Sequence, residues 1–308
     1  MRILLAGASG VFGSVLAPAL LDAGHEVVGI TRSQGGVRSI EAMGATAVVA
    51  DVMRRDQLLA AVHGQHFDAV ISQLTALKKP PLRNKDMHTT NVLRTVGTEN
   101  LMAVAKAVGA TRFLTQSMIF GYGYGDLGPV PVTENRAFGP SPRKGFAEHG
   151  EAMLRNEQIA FSEPGIDGIA LRYGLFYGGP ATNAYVDLLQ AGKLPIVKAG
   201  TTSFVHLADA ASATVAALER GRGGEAYNIV DDVPVPFSAI VLEIAEDYGT
   251  KKPRTLPAWT TKPMPYLHAA VTGRYLMAND KAKRELGWMP AFPSIQEGVR
   301  ADAKAAGL

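Results

Sequence analysis

The chain has 308 residues, of which 47% are hydrophobic and 19% charged, as in a globular protein with a sizeable buried core. Lys and Arg number 31 against 28 Asp and Glu, so the net charge is only +3, and this balance gives no sign of nucleic-acid binding. The sequence contains no cysteine, which excludes disulfides, cysteine-ligated zinc, iron–sulfur clusters and thiol nucleophiles.

No segment has the pattern of an export signal or a membrane span. The apolar run at residues 1–6 meets Gly7 too early for a secretory signal peptide. No apolar stretch approaches the roughly 20 residues that a membrane span needs. We therefore expect a cytoplasmic protein that binds neither nucleic acid nor membrane, and no metal site is expected.

In chain order, short apolar runs alternate with helical patterns through the first 172 residues. The apolar runs predict strands at 3–6, 26–31, 46–50, 68–72, 111–115 and 166–172. The helical patterns between them predict helices at 11–23, 37–43, 56–62, 92–108 and 145–159. This alternation is typical of βαβ units, so the predicted fold class is α/β, a Rossmann-type doubly wound parallel sheet.

The pattern changes after residue 172, where Gly178-Gly179-Pro180 interrupts the chain. Further elements are predicted at 183–191, 203–206, 208–220 and 226–230, followed by two or three helices between proline-rich loops. We predict a dinucleotide-binding domain made of 1–172 plus 203–231. Residues 173–202 plus 232–308 are predicted to form a smaller substrate-binding lobe.

A glycine-rich loop, Gly7-Ala8-Ser9-Gly10-Val11-Phe12-Gly13, lies between the first predicted strand and the first predicted helix. The first glycine permits a tight turn, the second lets a pyrophosphate approach the backbone, and the third lets helix and strand pack closely. The helix N-terminus adds amide donors and a positive dipole end. The loop therefore predicts dinucleotide binding by Gly7, Ser9, Gly10, Val11, Phe12 and Gly13.

The end of the second predicted strand indicates which dinucleotide binds. NAD-binding proteins usually hold an acidic residue there, whereas this chain has Thr31-Arg32-Ser33. Arg32 can pair with a 2′-phosphate and stack on adenine, the two hydroxyls add donors, and Arg38 adds a second cation. A solvated surface role for Arg32 is the alternative. The sequence favours NADP over NAD as the cofactor.

Several further motifs follow the predicted elements. They are Asp51-Val52, Leu74-Thr75-Ala76, Gly97-Thr98-Glu99-Asn100-Leu101, the segment 203–209 with its His-x-x-Asp, and the segment 282–290. With the glycine loop, these motifs resemble the extended short-chain dehydrogenase/reductase superfamily, in its NAD(P)-dependent epimerase/dehydratase-like branch, over essentially the whole chain. The resemblance implies that Asp51 and Val52 lie beside the adenine and that Leu74 and Thr75 line the nicotinamide-side ribose.

The catalytic residues of that superfamily are only partly matched. Its members place a Ser or Thr after the fifth strand and a Tyr-x-x-x-Lys on the next helix, where the Tyr moves the proton during hydride transfer. Here Ser117 is the candidate hydroxyl, although an alternative register places Met118 at that position, and the next predicted helix contains no tyrosine. The candidates to replace the missing Tyr include Tyr122, Tyr173 and His149.

The segment Thr202-Ser203-Phe204 lacks the arginine that grips the substrate diphosphate in nucleotide-sugar epimerases of this branch. Apolar residues at Leu175, Phe176, Leu188, Leu189 and Leu194 predict an uncharged or weakly polar substrate. One hypothesis is an NADP-dependent oxidoreductase or epimerase-like enzyme acting on a small, non-nucleotide carbonyl or hydroxyl compound. The other is a non-catalytic NADP(H)-binding redox sensor or scaffold. A homodimer is left open.

Overall fold

The computed structural model describes residues 1–77 and 79–308. The strands are β1 (Arg2–Ala6), β2 (Glu26–Thr31), β3 (Thr46–Val49), β4 (Ala69–Ser72), β5 (Arg112–Met118), β6 (Asp167–Tyr173), β7 (Leu175–Tyr177), β8 (Thr201–Thr202), β9 (Phe204–His206), β10 (Glu225–Ile229) and β11 (Arg274–Tyr275). The α-helices are α1 (Gly13–Asp22), α2 (Gln34–Glu41), α3 (Arg55–Ala61), α4 (His88–Val92), α5 (Thr98–Ala107), α6 (Ala147–Phe161), α7 (Pro180–Gln190), α8 (Leu207–Arg220), α9 (Phe237–Asp247), α10 (Pro265–Thr272), α11 (Asp280–Leu286) and α12 (Ile295–Ala305).

Seven strands form one parallel sheet in the order β10-β6-β5-β4-β1-β2-β3. The chain winds outward from β1 to β3, returns to place β4 on the other side of β1, and then winds the opposite way. The carboxyl ends of β1 and β4 therefore flank a topological switch point, where ligands bind in doubly wound folds. The predicted α/β Rossmann-type fold is confirmed.

Both faces of the sheet are buried, as β1 illustrates. Ile3 and Leu5 point into a core shared with α1 and α8, while Leu4 and Ala6 point into a second core shared with α5. Strand side chains alternate between faces, so a strand covered on both sides carries apolar residues at every position. This is why the strands were visible in the sequence as nearly unbroken apolar runs.

The predicted helix at 92–108 differs from the structure at its start. The helical segment begins at α4, and a π-helical turn, Leu93–Gly97, joins α4 to α5. Such a turn accommodates an extra residue and changes the direction of nearby side chains, and π turns are frequent at functional sites.

The segments outside the large sheet form two short parallel pairs, β7 with β9 and β8 with β11, together with several helices. The strand predicted at 203–206 thus pairs with β7 rather than extending the seven-stranded sheet. Leu286 and Trp288 pack into the core beneath α8, although the sequence placed them in the smaller lobe. The two-lobe division stays a prediction.

Asp231, just after β10, is a buried carboxyl group, only 1% exposed. Burial, reinforced by the nearby Asp232 and Asp209 carboxylates, raises its pKa to about 8. Backbone amides of Phe204 and Val233 oppose this shift, yet neither side-chain oxygen of Asp231 has a hydrogen-bond partner of good geometry among the described residues. The folded protein therefore favours the protonated form of this group.

We expect the free energy of unfolding to decrease as the pH rises. Between the unfolded pKa of about 4 and the folded pKa of about 8, the folded state binds one more proton at Asp231 than the unfolded state. The stabilisation is complete below the lower value and is lost as the pH rises through the higher one. Chemical denaturation between about pH 5 and pH 9 measures this, and Asp231→Asn should flatten the profile. The exposed Asp22 provides the control, since an equal flattening in Asp22→Asn would contradict the assignment.

Candidate active site

A cavity of about 920 Å³ lies at the carboxyl edge of the sheet. The glycine loop, Arg32 and the segment after β4 line one part of it, and side chains from β5, β7, α6, α7 and α10 line the rest. The predicted cofactor residues on its surface are Gly7, Ser9, Gly10, Val11, Phe12, Gly13, Arg32, Leu74 and Thr75. One continuous space therefore joins the glycine loop to an apolar compartment beyond it.

The three glycines of the loop have different physical roles. Gly7 has a φ of +90°, and a Cβ there would lie 2.5 Å from the Gln73 carbonyl oxygen. A Cβ on Gly13 would collide with the Gly7 carbonyl oxygen, so both positions are fixed by packing. Gly10 differs, because a Cβ there meets only the Gly7 carbonyl oxygen, at 3.2 Å, and the residue borders the cavity. Its backbone is thus open to a ligand.

The amide groups beside Gly10 suit an anionic ligand. The amides of Val11, Phe12 and Gly13 at the start of α1 make no backbone hydrogen bond within the described part of the chain. Free amides and the positive end of a ten-residue helix are together the usual binding site for a pyrophosphate. These amides are a structural reason, separate from the glycine motif, to expect that the loop binds the pyrophosphate of a dinucleotide.

Two cations follow β2, Arg32 directly after the strand and Arg38 within α2. Arg32 is exposed and lines the cavity, and the Arg38 guanidinium lies near Gly35, one residue into α2. No ion pair forms from either arginine within residues 1–77 and 79–308. The Ser33 hydroxyl accepts the Gly36 amide at 3.2 Å as the N-cap of α2. Thr31 is buried, and neither hydroxyl lines the cavity, whereas Arg32 does.

The predicted residues of the loop after β3, Asp51 and Val52, do not line the cavity. Asp51 Oδ1 accepts the Met53 amide at 3.0 Å, and the Val52 carbonyl oxygen accepts the Asn100 side-chain amide at 2.8 Å. These bonds fix the loop against α5. Contact of Asp51 and Val52 with adenine stays a prediction.

Ser117 is fully buried and faces α6 rather than the cavity. Its hydroxyl donates to Glu157 Oε1 at 2.6 Å, and Arg172 donates to both oxygens of that carboxylate, at 2.9 and 2.6 Å. The neighbours that do line the cavity are Gln116 and Met118, on the opposite face of β5. Met118 rather than Ser117 therefore faces the cavity.

The other three catalytic candidates are also internal. Tyr122 donates to Asn228 Oδ1 and accepts from Arg172 Nη1, both at 2.8 Å, and burial raises its pKa to about 12. Burial also raises the pKa of Tyr173, whose hydroxyl forms a hydrogen bond with that of Thr214 at 2.7 Å.

The third candidate is a histidine. His149 Nδ1 accepts the Asn91 side-chain amide at 2.9 Å, and burial lowers the pKa of this imidazole. The structure brings all three near the edge of the sheet without placing them on the cavity surface.

The polar side chains that line the cavity without having been predicted from the sequence include Gln116, Arg94 and Tyr266. Gln116 directly precedes Ser117, and side chains alternate along a strand, so the sequence already implied that these two residues point to opposite faces of the sheet. Arg94 lies in the π-helical turn and Tyr266 at the start of α10, and no motif marks either residue. The apolar walls include Leu175 and Phe176 as expected, but Leu188, Leu189 and Leu194 lie elsewhere.

No helix in 1–77 or 79–308 is long and apolar enough to cross a membrane. The same ranges hold no group of three or more His, Asp or Glu side chains arranged to bind a metal ion.

We expect Ser117→Ala to lower stability rather than activity. The change removes one of the donors to a buried carboxylate and should decrease the free energy of unfolding by about 1–3 kcal/mol. Turnover with a carbonyl substrate, measured as NADPH oxidation, should stay within a few-fold of the parent. Thr115→Val is the matched control, because Thr115 lies on the same face and donates to Asn156 Oδ1 at 2.9 Å. A loss of about 10²–10³ in turnover confined to Ser117→Ala would instead identify Ser117 as a donor to the substrate.

Comparisons with known proteins agree with this geometry. The model of the NAD dependent epimerase/dehydratase family matches residues 3–230. A Streptomyces protein named 3-diazoavenalumate denitrifying reductase is 37% identical, covering 97% of this chain and 99% of that protein. A ketoreductase of Stigmatella aurantiaca, named for a farnesylated dihydroquinoline-oxide substrate, is 26% identical, covering 94% of this chain and 92% of that protein.

Among solved structures, the UDP-glucose 4-epimerase of Thermus thermophilus in complex with NAD has a TM-score of 0.78 and 20% identity, covering 99% of this chain and 98% of that one. At that identity the likeness shows the fold alone. The family match and the named relatives make this chain an NAD(P)-dependent oxidoreductase or epimerase, and they favour the enzyme hypothesis over the sensor. The chain belongs to the NAD dependent epimerase/dehydratase family, within the extended short-chain dehydrogenase/reductase superfamily.

Proposed function

We propose that the protein is an NADP(H)-dependent reductase of a small, non-nucleotide carbonyl compound. The observation that carries this proposal is that one continuous cavity runs from the glycine loop and Arg32 to a compartment walled by Met118, Phe120 and Met153. A compartment of this kind excludes water and favours an organic substrate. Thr202-Ser203-Phe204 is buried away from it and offers no cation for a substrate diphosphate.

The cofactor preference is inferred from charge at the end of β2. Arg32 and Arg38 are two cations without acidic partners in the described chain, and a 2′-phosphate would supply the missing negative charge. An NAD-specific site would need a carboxylate to accept the ribose hydroxyls, and Arg32 takes that position. These features support NADP(H) over NAD(H).

We infer that Tyr266 is the group that holds the reacting proton. NADPH, when bound, supplies the hydride. Tyr266 lines the cavity, and burial raises the pKa of its phenol, while its hydrogen bond with Tyr124 and the nearby Arg94 act in the opposite direction. The hydroxyl therefore keeps its proton near neutral pH and can donate it to a carbonyl oxygen that gains negative charge. A protonated donor supports reduction rather than alcohol oxidation.

Gln116, on β5, is a second polar group on the wall of this compartment, in addition to Tyr266. Its amide can donate to the same oxygen and orient the substrate. The apolar walls exclude water, so that the donors at Tyr266 and Gln116 act in a low dielectric, where they stabilise developing charge most strongly. On product release, solvent returns the proton to Tyr266.

For cofactor preference, we expect NADPH to bind at least about tenfold more tightly than NADH, a difference of about 1.4 kcal/mol. Arg32→Asp should reverse the order, because the carboxylate repels a 2′-phosphate and accepts the ribose hydroxyls. Calorimetric titration of both cofactors measures this. Arg55→Asp is a control of equal charge change, since Arg55 is exposed on α3 and does not line the cavity. Tighter NADH binding by the parent protein would contradict the assignment.

For the proton donor, we expect Tyr266→Phe to lower turnover by about 10²-fold or more, the usual contribution of a positioned acid. Binding of NADPH should be unchanged. Tyr124→Phe is the matched control, because its hydroxyl lies 3.3 Å from that of Tyr266 but is absent from the cavity lining. Equal losses in the two variants would mean that the paired hydroxyls maintain structure and that the proton comes from another group.

A further inference from the structure

Arg94 is a buried cation with no acidic partner. Its side chain is 9% exposed and lines the cavity, and its Nη1 atom has no hydrogen-bond partner among the residues described. The guanidinium forms no ion pair within those ranges. Buried charged groups are normally paired, because removing a charge from water without compensation is costly. The unpaired guanidinium therefore indicates that an anionic ligand binds here.

The surroundings of Arg94 place it on the substrate side of the cavity. Burial lowers its pKa, and the groups that act against this shift are the phenols of Tyr266 and Tyr124, which belong to the aromatic cluster beneath α10. An arginine nevertheless stays protonated in proteins. These neighbours come from α10 and the segment after β5, whereas the predicted cofactor residues come from the glycine loop and the end of β2.

The position of Arg94 in the π-helical turn is a second, independent observation. The turn covers Leu93–Gly97, between α4 and α5, and α6 packs against it. Gly97 closes the turn tightly, since a Cβ there would lie 3.2 Å from Leu74 Cδ1. A π turn departs from regular α-helical hydrogen bonding, and such turns are frequent at functional sites.

The cavity as a whole is positively charged. Among the described residues that line it, the charged ones are Arg32, Lys79 and Arg94, and none is Asp or Glu. Arg32 lies at the cofactor end, and Lys79 is exposed. Arg94 is the buried member of the three and is surrounded by apolar and aromatic groups.

We propose that Arg94 binds a carboxylate of the substrate, so that the compound reduced is a small organic acid with an apolar body. The planar guanidinium matches a carboxylate through two parallel N–H donors, a geometry that a lysine cannot reproduce. This changes the sequence-based expectation of an uncharged or weakly polar substrate. The proposal rests on the proposed reductase function, because it names the substrate class of that same cavity.

The test compares acids with their neutral amides. Hexanoate, benzoate and trans-cinnamate are titrated calorimetrically into the full-length protein, with and without saturating NADPH, alongside hexanamide, benzamide and trans-cinnamamide. At least one acid should bind about tenfold or more tightly than its amide, and Arg94→Met should abolish that preference. Arg94→Lys should keep part of it, and Lys85→Met, which removes an exposed cation outside the cavity lining, should keep it in full. Equal binding of acid and amide throughout the series, or no binding of either, overturns the proposal.

Two further measurements separate this proposal from its alternatives. Arg94→Met should leave NADPH affinity unchanged, whereas a weaker affinity would mean that Arg94 holds the cofactor and would overturn the proposal. Without ligand, Arg94→Met should raise the Tm, because a buried unpaired charge is removed, while a merely structural arginine would give a lower Tm. If the parent does not bind NADPH, the proposed function fails, but the acid preference can still be measured without cofactor.

Discussion

The parallel sheet is covered by helices on both faces, and this constraint decides which side chains can meet a ligand. Residues within the strands point into one of two apolar cores, as Ile3 and Leu4 do in β1. A ligand is therefore reached only at the carboxyl edge, where β1 and β4 lie at the reversal of winding. Within β5, the alternation directs Gln116 and Met118 to the cavity and Ser117 to α6. Adjacent residues of one strand therefore differ in role, because one faces the cavity and the next faces the core.

Some polar residues near that edge point into the protein rather than into the cavity. Arg172 and Glu157 form a buried, bidentate ion pair that ties β6 to α6. Such a pair is stable only when its remaining donors and acceptors are satisfied, and breaking it from one side typically costs about 3–5 kcal/mol. Ser117 and Tyr122 supply those additional hydrogen bonds. In the sequence, the positions of these two residues within and after β5 resemble catalytic ones, and in the structure their hydroxyls hydrogen-bond to the ion pair.

The sequence predicts the sheet and the glycine loop well because both depend on local constraints. A strand buried on both faces must be apolar throughout, and a loop that approaches a phosphate needs glycine at Gly10, where the backbone is open to the cavity. The substrate end of the site depends instead on contacts between distant segments. Arg94 and Tyr266 lie on separate helices, far apart in the chain, and their approach follows from the packing of α10 and from a π turn that no residue pattern indicates.

Two buried arginines, Arg94 and Arg172, show how far burial alone can be interpreted. Burial acts to lower the pKa of both, yet Glu157 more than offsets this for Arg172, whose pKa is raised. The charge of Arg172 is balanced by Glu157 within the protein, so this residue needs no ligand. Arg94 has phenols beside it but forms no ion pair among the residues that the structure describes, so the cost of its desolvation is not offset by a carboxylate. A stable fold has no need of such a residue, since an apolar side chain of similar volume would fill the same space at lower free energy. The side chain is better explained by a ligand whose negative charge completes the pair when it enters the cavity.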